Sequence, residues 1–463
     1  MNLIRKRFAA ATLVLFLIGL SAFLAWNRGL FTKAKTRTRP KLDTQSIASA
    51  LKSDFAKMGW NRFRGPNGTG RSNDPLIPSE WDETNNLRWK TELPGRGSSS
   101  PVLSSEKVFL TTYVADSNDD GILNSLQRFL CCIDQESGAI DWSKSIDTIL
   151  PESANRGVGI PEHGYATNSC VVDERFVYSF YGKSGVYCHD HDGNEIWRIS
   201  VGTGLNRNNW GSCASLILFN DILIVNAAEE CGSLLGIEKS TGKEVWRAGE
   251  KLSFSFSTPA LVPVDSDRTD LVVAVVGELW GLNPTNGKLV WFAESPIGGN
   301  VSPCVNVDGD LVYSYGGFDQ RGSICVQAGG TGDVTESRLR WKSKTASYVA
   351  SPVIYEKKIY WVGDSGMYHC VDALTGERIA KARMPRGVGN SRPVYASAIA
   401  INDRIFVQTR RRGVFVLETG GPLKILSHNM FASDDSMFNA TPAVGGGQLF
   451  LRSDQFLYCV GKK

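Results

Sequence analysis

The stretch Ser240-Thr241-Gly242-Lys243-Glu244-Val245-Trp246 reads as a tight turn feeding a short strand that ends in tryptophan. The chain repeats it as Ser137-Gly138-Ala139-Ile140-Asp141-Trp142, as Asp192-Gly193-Asn194-Glu195-Ile196-Trp197 and as Asn286-Gly287-Lys288-Leu289-Val290-Trp291. Glu377 to Ala380, after Thr375-Gly376, is a worn copy, and Arg340-Trp341 and Arg88-Trp89 keep only the strand end. From Trp142 to Trp341 the repeated tryptophans stand 55, 49, 45 and 50 residues apart. A period of about 40–50 residues carrying strand signals marks a β-propeller.

Within the unit, glycine supplies the positive φ that a two-residue hairpin turn needs. The strand after it alternates, so its tryptophan can pack between one blade and the next. Trp89, Trp142, Trp197, Trp246, Trp291 and Trp341 are therefore read as blade-docking residues. Three more strands precede each of these strands. The first often opens Ser/Thr-Pro, where proline is tolerated, as at Ser100-Pro101 and Thr441-Pro442. The third carries a small residue at a fixed place, Cys132, Cys188, Gly236, Gly281, Cys370 or Cys459, expected to let blades approach closely.

First strands start near Ser100, Asn168, Ser212, Thr258, Ser302, Ser351, Ser397 and Thr441. The eighth unit lacks its tryptophan strand, and the orphan Leu87-Arg88-Trp89-Lys90 supplies one. The expected fold is all-β: an eight-bladed propeller of four-stranded blades, closed by an N-terminal strand. Closure removes the exposed edges of an open array.

Three segments follow. Residues 1–27 contain Arg5-Lys6-Arg7 and an apolar run from Phe8 to Trp26, long enough to span a bilayer as a transmembrane signal anchor. Residues 28–58 form a basic linker and an amphipathic helix with Ile47, Leu51, Phe55 and Met58 at helical spacing. Residues 59–463 form the propeller. Basic residues on both sides of the apolar run leave membrane sidedness open by charge alone. The formal charge of +4 belongs to this tail: residues 1–41 hold nine Lys/Arg and no Asp/Glu, leaving 42 basic against 47 acidic residues. That balance argues against a nucleic-acid surface.

Trp60-Asn61-Arg62-Phe63-Arg64-Gly65-Pro66-Asn67-Gly68-Thr69-Gly70 precedes the first blade and is expected to staple the N-terminal arm to one face. This segment resembles the opening of bacterial pyrroloquinoline-quinone-like (PQQ-like) repeat propellers, as do His163 to Ser169, Tyr181 to Val186, Trp210-Gly211-Ser212 and Val225-Asn226-Ala227. The resemblance covers about residues 59–461. It implies an exported, periplasmic domain and a family that runs from quinoprotein alcohol dehydrogenases to a non-catalytic subunit of outer-membrane assembly.

Cys131-Cys132 is an adjacent pair of the kind that flanks the quinone in such dehydrogenases. Strand alternation instead makes one a buried thiol and the other outward. No aspartate base or calcium-binding set of those enzymes can be assigned, so a bound quinone is not expected. Calcium has its own candidate in Asp116, Asn118, Asp120 and Asn124, spaced as in a calcium loop but lacking the carboxylate at the twelfth position. His189 and His191 could share one side for zinc. Gly363-Asp364-Ser365-Gly366 mimics a nucleophile motif and reads as a hairpin turn. Arg410-Arg411-Arg412 reads as a solvated basic turn. Candidate ligand contacts at the channel mouth are His163, Tyr165, Asn168, Lys183, Trp210 and Asn226. The expected role is a membrane-tethered, monomeric, non-enzymatic scaffold with a protein partner on one face. The alternative is an oxidoreductase dependent on quinone and calcium.

Overall fold

The computed structural model describes residues 59–462 except 105, 158, 206, 207, 209, 251, 253 and 386–391. The signal anchor and the amphipathic helix fall outside the described residues. Among the described residues no helix is long and apolar enough to cross a membrane.

Eight antiparallel sheets succeed one another along the chain. Their innermost strands are Val102–Ser104, Val171–Val172, Ile217–Phe219, Ala260–Pro263, Asn306–Asp308, Val353–Tyr355, Ile399–Ile401 and Ala443–Gly445, which number blades 1 to 8. Blade 8 is completed by Leu87–Glu92 lying antiparallel to Phe456–Val460, with Trp89 opposite Cys459. The two ends of the ring are thus zipped together, as the orphan strand predicts.

A belt of hydroxyls joins the blades around the axis. The Ser100 amide donates to the Ser169 hydroxyl (2.8 Å), Ser169 to Ser215 (3.0 Å) and Ser215 to Thr258 (2.9 Å). It resumes with Cys304 to Ser351 (2.9 Å), Ser351 to Ser397 (3.0 Å), Ser397 to Thr441 (2.9 Å) and Thr441 back to Ser100 (2.9 Å). Each link satisfies a buried backbone donor. At blade 5 a cysteine, Cys304, stands where the other blades carry the hydroxyl.

The tryptophans dock blades as expected. The indole N–H of Trp89 donates to Gln135 O (3.1 Å), Trp142 to His191 O (3.0 Å), Trp197 to Lys239 O (3.0 Å), Trp246 to Pro284 O (3.0 Å) and Trp341 to Ala373 O (2.9 Å), each in the next blade. The next blade's turn glycine lies under the ring. A Cβ on Gly242 would come within 2.9 Å of Trp197, and φ there is +77°. Glycine is therefore required twice over, by backbone and by contact.

The small residue of the third strand has a different job from the one expected. It faces the tryptophan of its own blade: Gly236 opposite Trp246, Cys132 opposite Trp142, Cys188 opposite Trp197 and Cys325 opposite Trp341. A Cβ on Gly236 would sit 2.1 Å from the Trp246 ring. The indole lies flat over that position, so the small residue makes room for the ring rather than for the neighbouring blade. This accounts for much of the cysteine content, since a thiol is a small hydrophobe there.

Trp60 to Gly70 does more than staple an arm to a face. It fills the axis. Trp60 O accepts from Leu103 N (2.8 Å), Asn61 O from Val172 N (2.9 Å), and Asn67 donates to Leu261 O (2.9 Å). Arg64 donates to Asn306 Oδ1 (2.8 Å) and Pro352 O (2.5 Å), and Gly70 O accepts from Ala400 N (2.8 Å). Arg71–Ser72 then adds a parallel strand inside blade 7, and Asp74 accepts from Gly447 N in blade 8 (2.8 Å). Among the described residues, this eleven-residue segment and its short tail bond to every blade but the third. Gly65 is needed because Trp60 folds back over it, with 2.5 Å left for a Cβ at φ +65°.

Candidate functional site

The other end of the axis begins at the hydroxyl belt. Here the link from blade 1 to blade 2 forms a helical turn, Ile160–His163. On one side His163 Nε2 meets Trp210 O (2.9 Å), in the link between blades 2 and 3. On the other, Glu162 accepts from Arg410 of blade 7 (2.6 Å), and Asn439 of the link before blade 8 donates to Glu162 O (2.9 Å). A turn that touches both the third and the seventh blades' surroundings lies over the mouth. Arg410 is accordingly buried, not solvated surface; Arg411 and Arg412 are the exposed members of that triplet.

The structure brings His163, Tyr165, Asn168, Lys183 and Trp210 together at this end and places Asn226 elsewhere. Asn226 is buried between blades 3 and 4, its amide donating to Ser255 O (3.0 Å) and Ser257 O (3.1 Å). His163, Tyr165 and Asn168 are committed to the fold. His163 Nδ1 bonds Thr167 Oγ1 (2.8 Å), so both ring nitrogens have partners, and burial holds its pKa below the ordinary value. Tyr165 donates to Ser153 O (2.6 Å) and Asn168 to Ala214 O (2.7 Å).

Between blades 1, 2 and 3 they leave a cavity of about 30 Å³, lined also by Arg128, Glu152, Glu229 and Glu230. That is room for about two waters. Sequence reading missed this charged set. Arg128 and Glu152 form a buried ion pair (2.8 Å). Two adjacent acids directly after the apolar strand Ile222–Ala227 were the signal that could have found Glu229 and Glu230. Burial pushes the Glu230 carboxyl up to about 8, with Glu229 adding to the rise.

A raised carboxyl favours the protonated form in the folded state, so its contribution is complete below about pH 4.5 and is lost as pH climbs through 8. The unfolding free energy of the wild type, from chemical denaturation, is expected to fall by about 5 kcal/mol across that window; Glu230→Gln should flatten this limb. The acid limb has the opposite sign and persists in the variant. His189 and His369, pushed down to about 4 chiefly by burial, lose stability as pH falls below about 6.5.

The remaining candidates are dispersed. Asn118 Oδ1 accepts from the amides of Asp120 (3.1 Å) and Ile122 (2.9 Å), and Asp116 accepts from Asn124 (2.9 Å), so these oxygens hold the tip of a long hairpin together. His189 stacks on Tyr187, and His191 lies tilted against Phe109. Among the described residues no three His, Cys, Asp or Glu side chains gather as a metal site. Cys131 and Cys132 are both fully buried. Neither is outward, because each strand face meets a neighbouring blade: Cys131 packs in the core shared with blade 8 and Cys132 in that shared with blade 2. Both are free thiols, and neither lines the axial cavity. A quinone calls for a pocket of several hundred Å³, and the axial cavity and this cysteine pair do not fit one.

A family model described as outer membrane protein assembly factor BamB matches residues 130–382, more than half of the chain. The chain belongs to this family. The solved BamB from Moraxella catarrhalis superposes with a TM-score of 0.56 at 14% identity, covering 81% of this chain and 99% of that one. The computationally designed Ika8 protein gives 0.51 at 13%, covering 80% and 98%. The quinohemoprotein alcohol dehydrogenase of Comamonas testosteroni gives 0.48 at 12%, covering 91% and 83%, too loose to carry an argument. At these identities the likeness to BamB and to Ika8 establishes the propeller alone. No curated protein matches the chain.

Proposed function

We propose that this BamB-family chain is a non-enzymatic binding or assembly scaffold. In this reading the apolar N-terminal segment tethers it to a membrane, the propeller lies on the extracytoplasmic side, and a single propeller holds a protein partner on one face. The observation that carries the reading is the closed axis: Arg64 and its neighbours fill one end, the Ile160–His163 turn covers the other, and the cavity that Ile160 lines between blades 1, 2 and 3 is about 30 Å³. With both ends of the axis closed, the faces are what is left for a partner. Membership of the family suggests that the partner belongs to outer-membrane protein assembly.

The test has two arms on the full chain. Photo-crosslinkers at exposed Leu205 and Phe318, used in native membranes, are expected to trap a defined protein of that assembly. Reconstitution with pyrroloquinoline quinone and calcium is expected to give no retained chromophore and no dye-linked alcohol oxidation. Retained quinone with turnover would replace the scaffold by the oxidoreductase.

A further inference from the structure

The cleft between blades 5 and 6 departs from the repeat in its charges. In blade 2 the cation after the tryptophan, Arg198, pairs with Glu195 two residues before it (3.5 Å) and with Asp147 of blade 1. In blade 3 Arg247 pairs with Glu244 in the same way (2.7 Å). The worn copy in blade 6 centres on Ala380, opposite Cys370. There the cation is Lys381, but Arg378 stands at the glutamate's place. Ala346, five residues past Trp341, stands where Asp147 stands five past Trp142. Neither of the acids that pair with Arg198 has a counterpart here.

The result is a pocket of about 300 Å³ lined by Arg321, Lys344, Arg378 and Lys381, with Asp364 the one acid. Among the described residues none of these four cations makes an ion pair; Arg321 donates only to Phe318 O (3.5 Å) and lies over the Tyr348 ring. His369, opposite Lys381 in the sheet, forms the floor. Its ring is stacked on Trp361 with centroids 4.6 Å apart, and its buried Nδ1 has no partner. All four cations are exposed and face one recess without an ion-pair partner among the described residues, so an anion there would meet several positive charges at once. Two guanidinium forks and two ammoniums suit a phosphoryl group. The volume exceeds that of a bare phosphate and fits a small organic body attached to it.

We propose that the cleft between blades 5 and 6 binds the phosphate group of a small phosphate monoester or of a lipid headgroup. The site is independent of the scaffold reading, because it lies on other blades than the axial cavity.

The probes are glycerol phosphate by equilibrium dialysis against the full chain in detergent, and phosphatidylcholine vesicles with and without phosphatidylglycerol. The decisive variant is Arg378→Glu, which restores the glutamate that blades 2 and 3 carry and so preserves a fold the repeat already tolerates. Lys288→Gln, in the exposed turn of blade 4, controls for general charge, and the basic N-terminal segment is present throughout. Glycerol phosphate binding that weakens at least tenfold in Arg378→Glu and is unchanged in Lys288→Gln supports a soluble phosphate. Binding confined to phosphatidylglycerol vesicles with the same dependence supports a headgroup. No binding in either arm, or binding that Arg378→Glu does not weaken or that Lys288→Gln weakens equally, overturns the site.

Discussion

Replacing Arg64 with alanine is expected to destabilise the propeller by about 3–5 kcal/mol, read as a lowered denaturation midpoint. Its guanidinium is fully buried and joins two blades, through Asn306 Oδ1 and Pro352 O. Deleting it leaves both acceptors buried without a donor, and leaves a void where the side chain packed beneath Gly70. Burial lowers the guanidinium to about 10, so it is charged at neutral pH and its bonds are the stronger charge-assisted kind. Arg64→Lys should recover only part of the loss, because one ammonium does not reproduce a fork that reaches two blades. Arg62→Ala, which removes a single bond to Pro259 O (3.2 Å), should cost less, about 1–2 kcal/mol. Equal midpoints for wild type and Arg64→Ala would mean that the blades hold the axis without the plug.

That plug marks where sequence reading stopped. The tryptophan spacing made the blades countable, and the orphan Trp89 strand made the closure legible, because both rest on local, repeated patterns. Trp60 to Gly70 occurs once, has no period, and satisfies its polar groups on carbonyls more than a hundred residues away. Nothing local in it distinguishes a clasp on one face from a filler of the axis. Its fully buried arginines invert the usual expectation for charged side chains. The mouth residues show the complementary limit. His163, Tyr165, Asn168 and Trp210 could be placed at one end by their position before a first strand. Whether their polar atoms face a ligand or the fold depended on the Ile160–His163 turn reaching Arg410, a contact across 248 residues. Blade 7 shows that the fold survives loss of its marker: Ser427 stands opposite Val416 where six of the blades set a tryptophan against a small residue.

The second large effect lies at Trp291, the one repeated tryptophan among the described residues whose indole N–H bonds within its own blade rather than to the next. Blade 5 has an insertion at the turn where a glycine would receive the ring, and Gly332–Asp333 from that insertion instead pairs in parallel with the Trp291 strand. The indole is completely buried, and its N–H donates to the Asp270 carboxylate (2.6 Å) within its own blade. Asp270 is itself buried and is held by Arg268 (2.7 Å). Trp291→Ala therefore removes a large ring, worth about 3–5 kcal/mol, and a hydrogen bond to a buried charge, worth about 1.5–3 kcal/mol. Trp246→Ala removes a ring whose partner is a neutral carbonyl, Pro284 O, and should cost the ring contribution with only about 1 kcal/mol more. Trp291→Phe separates the two contributions, since it keeps most of the apolar volume and loses the donor. It is expected to be destabilised by about 1.5–3 kcal/mol. Should Trp291→Ala cost no more than Trp246→Ala, the carboxylate and the added strand contribute nothing beyond what an ordinary blade contact supplies, and the insertion would be an ornament on the repeat rather than a replacement for its turn.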